Sequence, residues 1–146
     1  MKRPFIIRVY GIYREPERGY LVSDELVRGK RVTKFPGGGL EYGEGPIDCL
    51  KREMKEETGE EFRIGDHLYT TDFFVESAFD PGYQVISIYY RLHSDHVLDI
   101  RVSTKLFDFQ GTAQQSFRFI KSEEMKPEHF TLIIDQKVAS LLAMTS

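Results

Sequence analysis

The chain has 146 residues, a formal net charge of −3, 40% hydrophobic, 29% charged and 13% aromatic residues. These values fit one folded domain that hides roughly two-thirds of its unfolded surface, and they argue against extended disorder. The single cysteine, Cys49, excludes an internal disulfide framework, no apolar run approaches the roughly 18 residues of a membrane span, and a pI near 5.8 gives no global pull toward nucleic acid.

Met1-Lys2-Arg3 has the charge of a leader peptide, but Arg8 breaks the apolar stretch Phe5-Ile6-Ile7 too early for one. A cytoplasmic location is expected. Residues 4–13 (PFIIRVYGIY) are rich in β-branched and aromatic side chains and predict a first strand. Residues 14–19 (REPERG) predict a turn. Further strands are predicted over Tyr20–Ser23 and Arg31–Phe35. Pro36-Gly37-Gly38-Gly39 is expected to lie outside any helix or central strand.

Residues 46–58 predict a helix. Pro46 suits its first position, Asp48 complements its positive end, and Gly59 suits the stop. Ile47, Leu50 and Met54 form its apolar stripe. Strands over 68–79 and 83–92 are predicted to meet at the turn Asp80-Pro81-Gly82. A short strand is predicted over 116–120 (SFRFI). A last helix is predicted over 135–144, with Val138, Leu141 and Leu142 on one face. Strands flanking isolated helices point to an α+β class, a mixed sheet covered by helices. Residues 1–146 are expected to form one domain.

Charge is unevenly placed. Residues 40–61 carry eight acids and three bases, a local −5 that leaves the remainder at +2. At about 100° per helical residue, Glu53, Glu56 and Glu57 fall within an arc of about 100°. A solvated acidic face would read the same way. Yet like charges at i, i+4 destabilise a helix, and a hard divalent cation such as Mg²⁺ or Mn²⁺ relieves that repulsion. Mg²⁺ commonly shares its coordination with substrate phosphate oxygens, so this cluster points to phosphoryl chemistry. Gly37, Gly38 and Gly39 let the backbone approach a metal or phosphate, although glycines after Phe35-Pro36 also make a plain loop.

Gly38, Glu44 and the run Arg52-Glu53-Met54-Lys55-Glu56-Glu57-Thr58-Gly59 together resemble the Nudix box, GX5EX7REUXEEXGU. All seven fixed letters match, and the chance of that is on the order of 10⁻⁸ to 10⁻⁹ per start site at background usage. Phe35-Pro36-Gly37 is similar to the usual lead-in. The departure is Glu60 in the final apolar slot, whose packing Phe62 is expected to supply. The resemblance implies an α/β/α sandwich around a mixed sheet. FRFIKSEEM and the last helix are similar to the family's closing strand and helix.

The resemblance also implies a Mg²⁺-dependent pyrophosphohydrolase, with Mn²⁺ as a substitute. Its substrate would be a nucleoside diphosphate linked to another group, with a nucleoside triphosphate included. Glu53, Glu56 and Glu57 would ligate the metal with the carbonyl of Gly37 or Gly38, and the Glu53 position often doubles as base. Arg52 would orient a carboxylate by its planar fork, and Glu44 would support the outer shell or anchor the loop. Gly38 and Gly39 would cradle substrate. Many members add an acid from a later loop, whereas Gln114 and Gln115 precede the SFRFI strand here.

Among weaker signals, Lys34, Arg8 and Arg118 are candidates for phosphate contact, though solvated surface explains any one of them better. His93 and His96 suggest a metal pair less well than a strand-end loop. Cys49 reads as packing. Phe5, Tyr10, Phe35, Tyr69, Phe73 and Phe74 read mostly as core, with a base-stacking platform as the alternative. Subfamily markers for ADP-ribose and dinucleoside polyphosphate hydrolases fail at Val75 and at Glu76, Ser77 and Ala78. That leans toward a MutT-like triphosphate pyrophosphohydrolase. A nucleotide-sensing, non-catalytic Nudix domain is the alternative. An isomerase on the same fold is disfavoured by the placement of Cys49. Neither nucleic acid nor membrane is expected as a partner, and a homodimer is left open.

Overall fold

The structure is a computed structural model describing residues 4–145. Met1-Lys2-Arg3, read above as no leader peptide, lie outside the described residues. Among the described residues, seven strands, two helices and two single 3-10 turns follow one another, an α+β composition as expected. They divide into two compact units: residues up to Ile12 with Gly37–Ile100, and Tyr13–Pro36 with residues from Arg101 onward.

The first unit holds most of β1 (Phe5–Glu15), β4 (Gly37–Gly39), α1 (Pro46–Thr58), β5 (Arg63–Thr70) and β6 (Gln84–His93). β6 lies between β1 and β5. Its core gathers Val9, Leu50, Met54, Phe62, Tyr89 and Leu92, each at most 6% exposed. Phe62 thus supplies the packing that Glu60 does not.

The glycine run is a strand after all. Gly37, Gly38 and Gly39 pair antiparallel with Tyr10, Val9 and Arg8. Gly37 sits at φ 143, and a Cβ there would run into the Val9 carbonyl and the Tyr10 backbone. Glycine makes this pairing feasible, and β4 pairs with β1 alone, so the run lies outside any helix or central strand as expected.

Helix α1 has the expected bounds. The Gly45 amide donates to Asp48 Oδ2 at 3.2 Å, and Gly59, at φ 76, donates its N–H to the Lys55 carbonyl. Its stripe is shifted, however. Leu50 and Met54 are fully buried, but Ile47 is 45% exposed and Cys49 is buried in its place. The reason is β4. Cys49 Sγ lies 3.5 Å from the Gly39 carbonyl oxygen, so the glycine strand packs on the helix edge that leads into the acids.

The strand expected over 68–79 begins earlier and ends sooner, at Arg63–Thr70. Register shifts accommodate Gly65 and Asp66, whose composition resembles a loop. At the other end, Thr71 keeps one backbone bond, its amide donating to the Ser87 carbonyl at 3.0 Å, while its hydroxyl accepts from the Ser87 amide (2.8 Å) and also donates to that carbonyl (3.1 Å). The chain then swings outward and rejoins β6 at Glu76 opposite Gln84. This leaves Phe73 and Phe74 exposed, as is Phe5, whereas Tyr10 and Phe35 are core. The turn at Asp80-Pro81-Gly82 forms as expected, with Tyr83 donating to the Asp80 carbonyl and Gly82 at φ 89.

The second unit holds β2 (Gly19–Val27), β3 (Lys30–Lys34), β7 (Gln115–Ile120) and α2 (Ile133–Thr145). β2 pairs antiparallel with both β3 and β7, and a parallel bridge joins Val102 to Phe117. Phe35 and Phe130 stack with ring centroids 4.4 Å apart, and Ile134, Val138 and Leu142 bury one face of α2. Asp24 is fully buried and saturated: it accepts from Arg118 Nε (2.7 Å), Thr33 Oγ1 (2.7 Å) and the Phe107 amide (3.2 Å). A buried charge persists when it is paired and hydrogen-bonded in this way.

Candidate active site

The pleat of β4 and one helical face build the site. Alternate residues of a strand face opposite sides. The missing Cβ of Gly38 would meet the Glu53 carboxylate, while that of Gly39 would approach Arg8. Gly38 is therefore a cradle: any side chain there would displace Glu53. Arg8 lies on the other side, where its Nε donates to Tyr10 Oη and its guanidinium rests over the Tyr10 ring.

Arg52 ties the parts together. Its Nε and Nη2 form a fork on Glu44, at 3.1 and 2.7 Å. Nη2 also donates to the Gly39 carbonyl at 3.1 Å. Nη1 donates to Glu53 Oε1 at 2.9 Å and reaches both oxygens of Glu56 at 3.3–3.4 Å. Glu41, which the sequence reading passed over, joins the edge of this network. Its amide donates to Glu44 Oε1 at 3.0 Å, and its carboxylate comes within 4.0 Å of Arg52 Nη1.

These contacts perturb the groups concerned. The Arg52 fork, helped by the Glu41 amide, holds the Glu44 carboxyl down at about 2. Glu44 in turn stabilises the Arg52 cation and raises its pKa. Burial pushes the Cys49 thiol up to about 12, reinforced by the charge on Glu44. Cys49 is thus a packed, protonated thiol, in keeping with its sequence reading.

Glu53 is largely buried, with 17% of its side chain exposed, against 57% for Glu56. Glu57 is intermediate, and its Oε2 is shielded from solvent. Among the described residues no three His, Cys, Asp or Glu side chains already converge as a metal cage. The donor chemistry nonetheless fits a hard divalent cation. Three carboxylates share one helical face, and the glycine strand packs beside them with no side chains between.

Two other candidates belong to the second unit and are engaged there. Lys34 is buried, with Nζ 2.9 Å from Glu25 Oε2 and 3.2 Å from the Phe35 carbonyl. Arg118 donates through Nε to the buried Asp24 at 2.7 Å, and Gln115, which stands where many members carry an acid, donates to Ser23 Oγ at 2.9 Å. His93 ends β6, and its ring packs against Gly65. His96 does not pair with it; its Nε2 lies 2.9 Å from Glu60 Oε2. Glu60 also accepts the Asp99 amide at 3.0 Å, so the acid in the box's apolar slot fastens loop 94–99 to the end of α1. An acid where the motif wants an apolar residue was the signal for that tether.

Comparison with known proteins agrees with this geometry. The family model for the NUDIX domain matches residues 3–134. No curated protein sequence matches the chain as a relative. Among solved structures, the MutT protein from Methanosarcina mazei Go1 is similar, with a TM-score of 0.71 at 21% identity over 99% of this chain and 97% of that one. The MutT structure from methicillin-resistant Staphylococcus aureus 252 gives 0.66 at 19% identity, covering 99% and 100% of the two chains. An ADP-ribose pyrophosphatase from Streptococcus suis 89-1591 gives 0.57 at 18% identity, covering 95% and 87%. With the model spanning most of its length and the motif seated on its helix and glycine strand, the chain belongs to the Nudix hydrolase family.

Proposed function

We propose that this protein is a Mg²⁺-dependent pyrophosphohydrolase acting on a nucleoside diphosphate linked to another group, with nucleoside triphosphates as the first substrates to test. The observation that carries this reading is the Glu53–Gly38 cradle beside Glu56 and Glu57, held by Arg52 and Glu44. Glu53, Glu56 and Glu57 would hold the cation, with the carbonyl of Gly37 or Gly38 as a further donor. When bound, Mg²⁺ neutralises phosphate charge and lowers the pKa of water.

The chain's own residues supply the rest. Glu53, pressed against Gly38, would accept a proton from the attacking water. Water adds to phosphorus, the phosphoanhydride P–O bond breaks, and the departing phosphate carries the electron pair away. Arg52 would hold Glu44 in orientation by its fork rather than touch phosphorus. Gly39, where a side chain would approach only Arg8, would leave room for phosphate oxygens, and Arg8 would stand beside it as a cation for substrate charge.

The reading is tested by phosphate release from nucleoside triphosphates, nucleotide sugars, dinucleotides and coenzymes, with and without Mg²⁺ or Mn²⁺. Hydrolysis of at least one class, abolished by excess EDTA, is expected. Full activity in EDTA contradicts it. Among the described residues no helix is long and apolar enough to cross a membrane, which is compatible with the cytoplasmic setting proposed for a nucleotide substrate.

A further inference from the structure

Arg52 divides its N–H groups between two sets of acceptors of different quality. Nε and Nη2 face a well-held set: Glu44, with 16% of its side chain exposed, at 3.1 and 2.7 Å, and the Gly39 carbonyl at 3.1 Å. Nη1 faces the helix acids, at 2.9 Å from Glu53 but at a looser 3.3–3.4 Å from the half-solvated Glu56. That nitrogen spans two of the three carboxylates assigned above to the cation. It relieves their mutual repulsion just as a metal would.

We infer that Arg52 holds the place of the cation in the metal-free protein, bridging Glu53 and Glu56 through Nη1 and surrendering that bridge when a divalent ion enters. The inference rests on the proposed metal role of Glu53, Glu56 and Glu57. A carboxylate oxygen directed at a guanidinium cannot also face a dication without bringing two positive charges together. The longer contact to Glu56 gives way first. Nε and Nη2 remain on Glu44 and Gly39, so the arginine pivots about a fixed fork instead of leaving the site. Arg52 thereby competes with the metal for the same acids.

An arginine that merely orients the carboxylates predicts the opposite sign of effect on metal affinity. The test is calorimetric titration of Mg²⁺, without substrate, into wild type and Arg52→Gln, beside thermal melts. The expected result is Mg²⁺ binding about threefold or more tighter in the variant, the scale of a partly exposed ion pair. The variant's metal-free melting temperature should fall, and Mg²⁺ should raise it by more than in wild type. Equal or weaker Mg²⁺ binding by folded Arg52→Gln overturns the inference but leaves the metal site standing. No Mg²⁺ binding by wild type overturns both.

Wild type alone gives a second measurement that needs no variant. On Mg²⁺ titration, the Arg52 Nε–H resonance should stay in place and slow to exchange, while the Nη signals shift and broaden. Nη signals unchanged at Mg²⁺ saturation overturn the inference.

Discussion

At Glu44 one carboxylate accepts two nitrogens of Arg52 and the Glu41 amide. Its pKa falls from 4.5 to about 2, led by the Arg52 hydrogen bond. A carboxyl depressed on folding adds stability above its unfolded pKa and loses it as pH drops through the folded value. The melting temperature of wild type should therefore exceed that of Glu44→Gln above pH 4.5, and the gap should close by about pH 2. A gap that stays constant across that range would show that the ion pair adds nothing beyond shape. The planar fork also makes Arg52→Lys a poor replacement, because one ammonium cannot serve Glu44, Gly39 and Glu53 together.

Between elements, α1 and β4 depend on two glycines for different reasons. Gly37 meets backbone and carries a positive φ, so nothing nearby can yield. Gly38 meets the end of the Glu53 side chain, which can move. Gly37→Ala should therefore cost about 3 kcal/mol or more, through strain and a backbone clash together. Gly38→Ala should fold, with a smaller loss, but displace Glu53 and depress turnover. Thermal melts and steady-state rates on both variants check this; comparable stability loss in the two would contradict the account. The same pair shows where the sequence was legible. α1 was readable to the residue because Pro46, Asp48 and Gly59 mark its ends by local rules. β4 was not, because glycine pairs as a strand here only through what Val9 and Tyr10 present, and a non-local neighbour leaves no local signal. Cys49 displaced Ile47 from the buried stripe for that reason also.

At the scale of the whole molecule, the motif residues lie within one compact unit, and its seven fixed letters acquire distinct physical duties there. Gly38 makes room, Arg52 and Glu44 clamp, Gly59 ends the helix, and Glu53, Glu56 and Glu57 carry the charge. Lys34 and Arg118 were not separable from these by sequence, since a basic side chain on a strand looks alike whether it meets a phosphate or a partner such as Glu25 or Asp24. Exposed Phe73 and Phe74 were equally opaque, because they follow the point at Thr71 where a hydroxyl takes one of the two bonds to Ser87 and the strand ends.

If the helix carboxylates hold the cation that catalysis requires, Mg²⁺ binding depends on their charge. Calorimetric titration of Mg²⁺ into Glu56→Gln and Glu57→Gln, beside wild type, tests it most directly. Glutamine keeps volume and helix propensity but is a poorer ligand for a hard cation. Mg²⁺ affinity should fall about tenfold or more in each folded variant, a loss of roughly 1.4 kcal/mol. Unchanged affinity in both would contradict the claim.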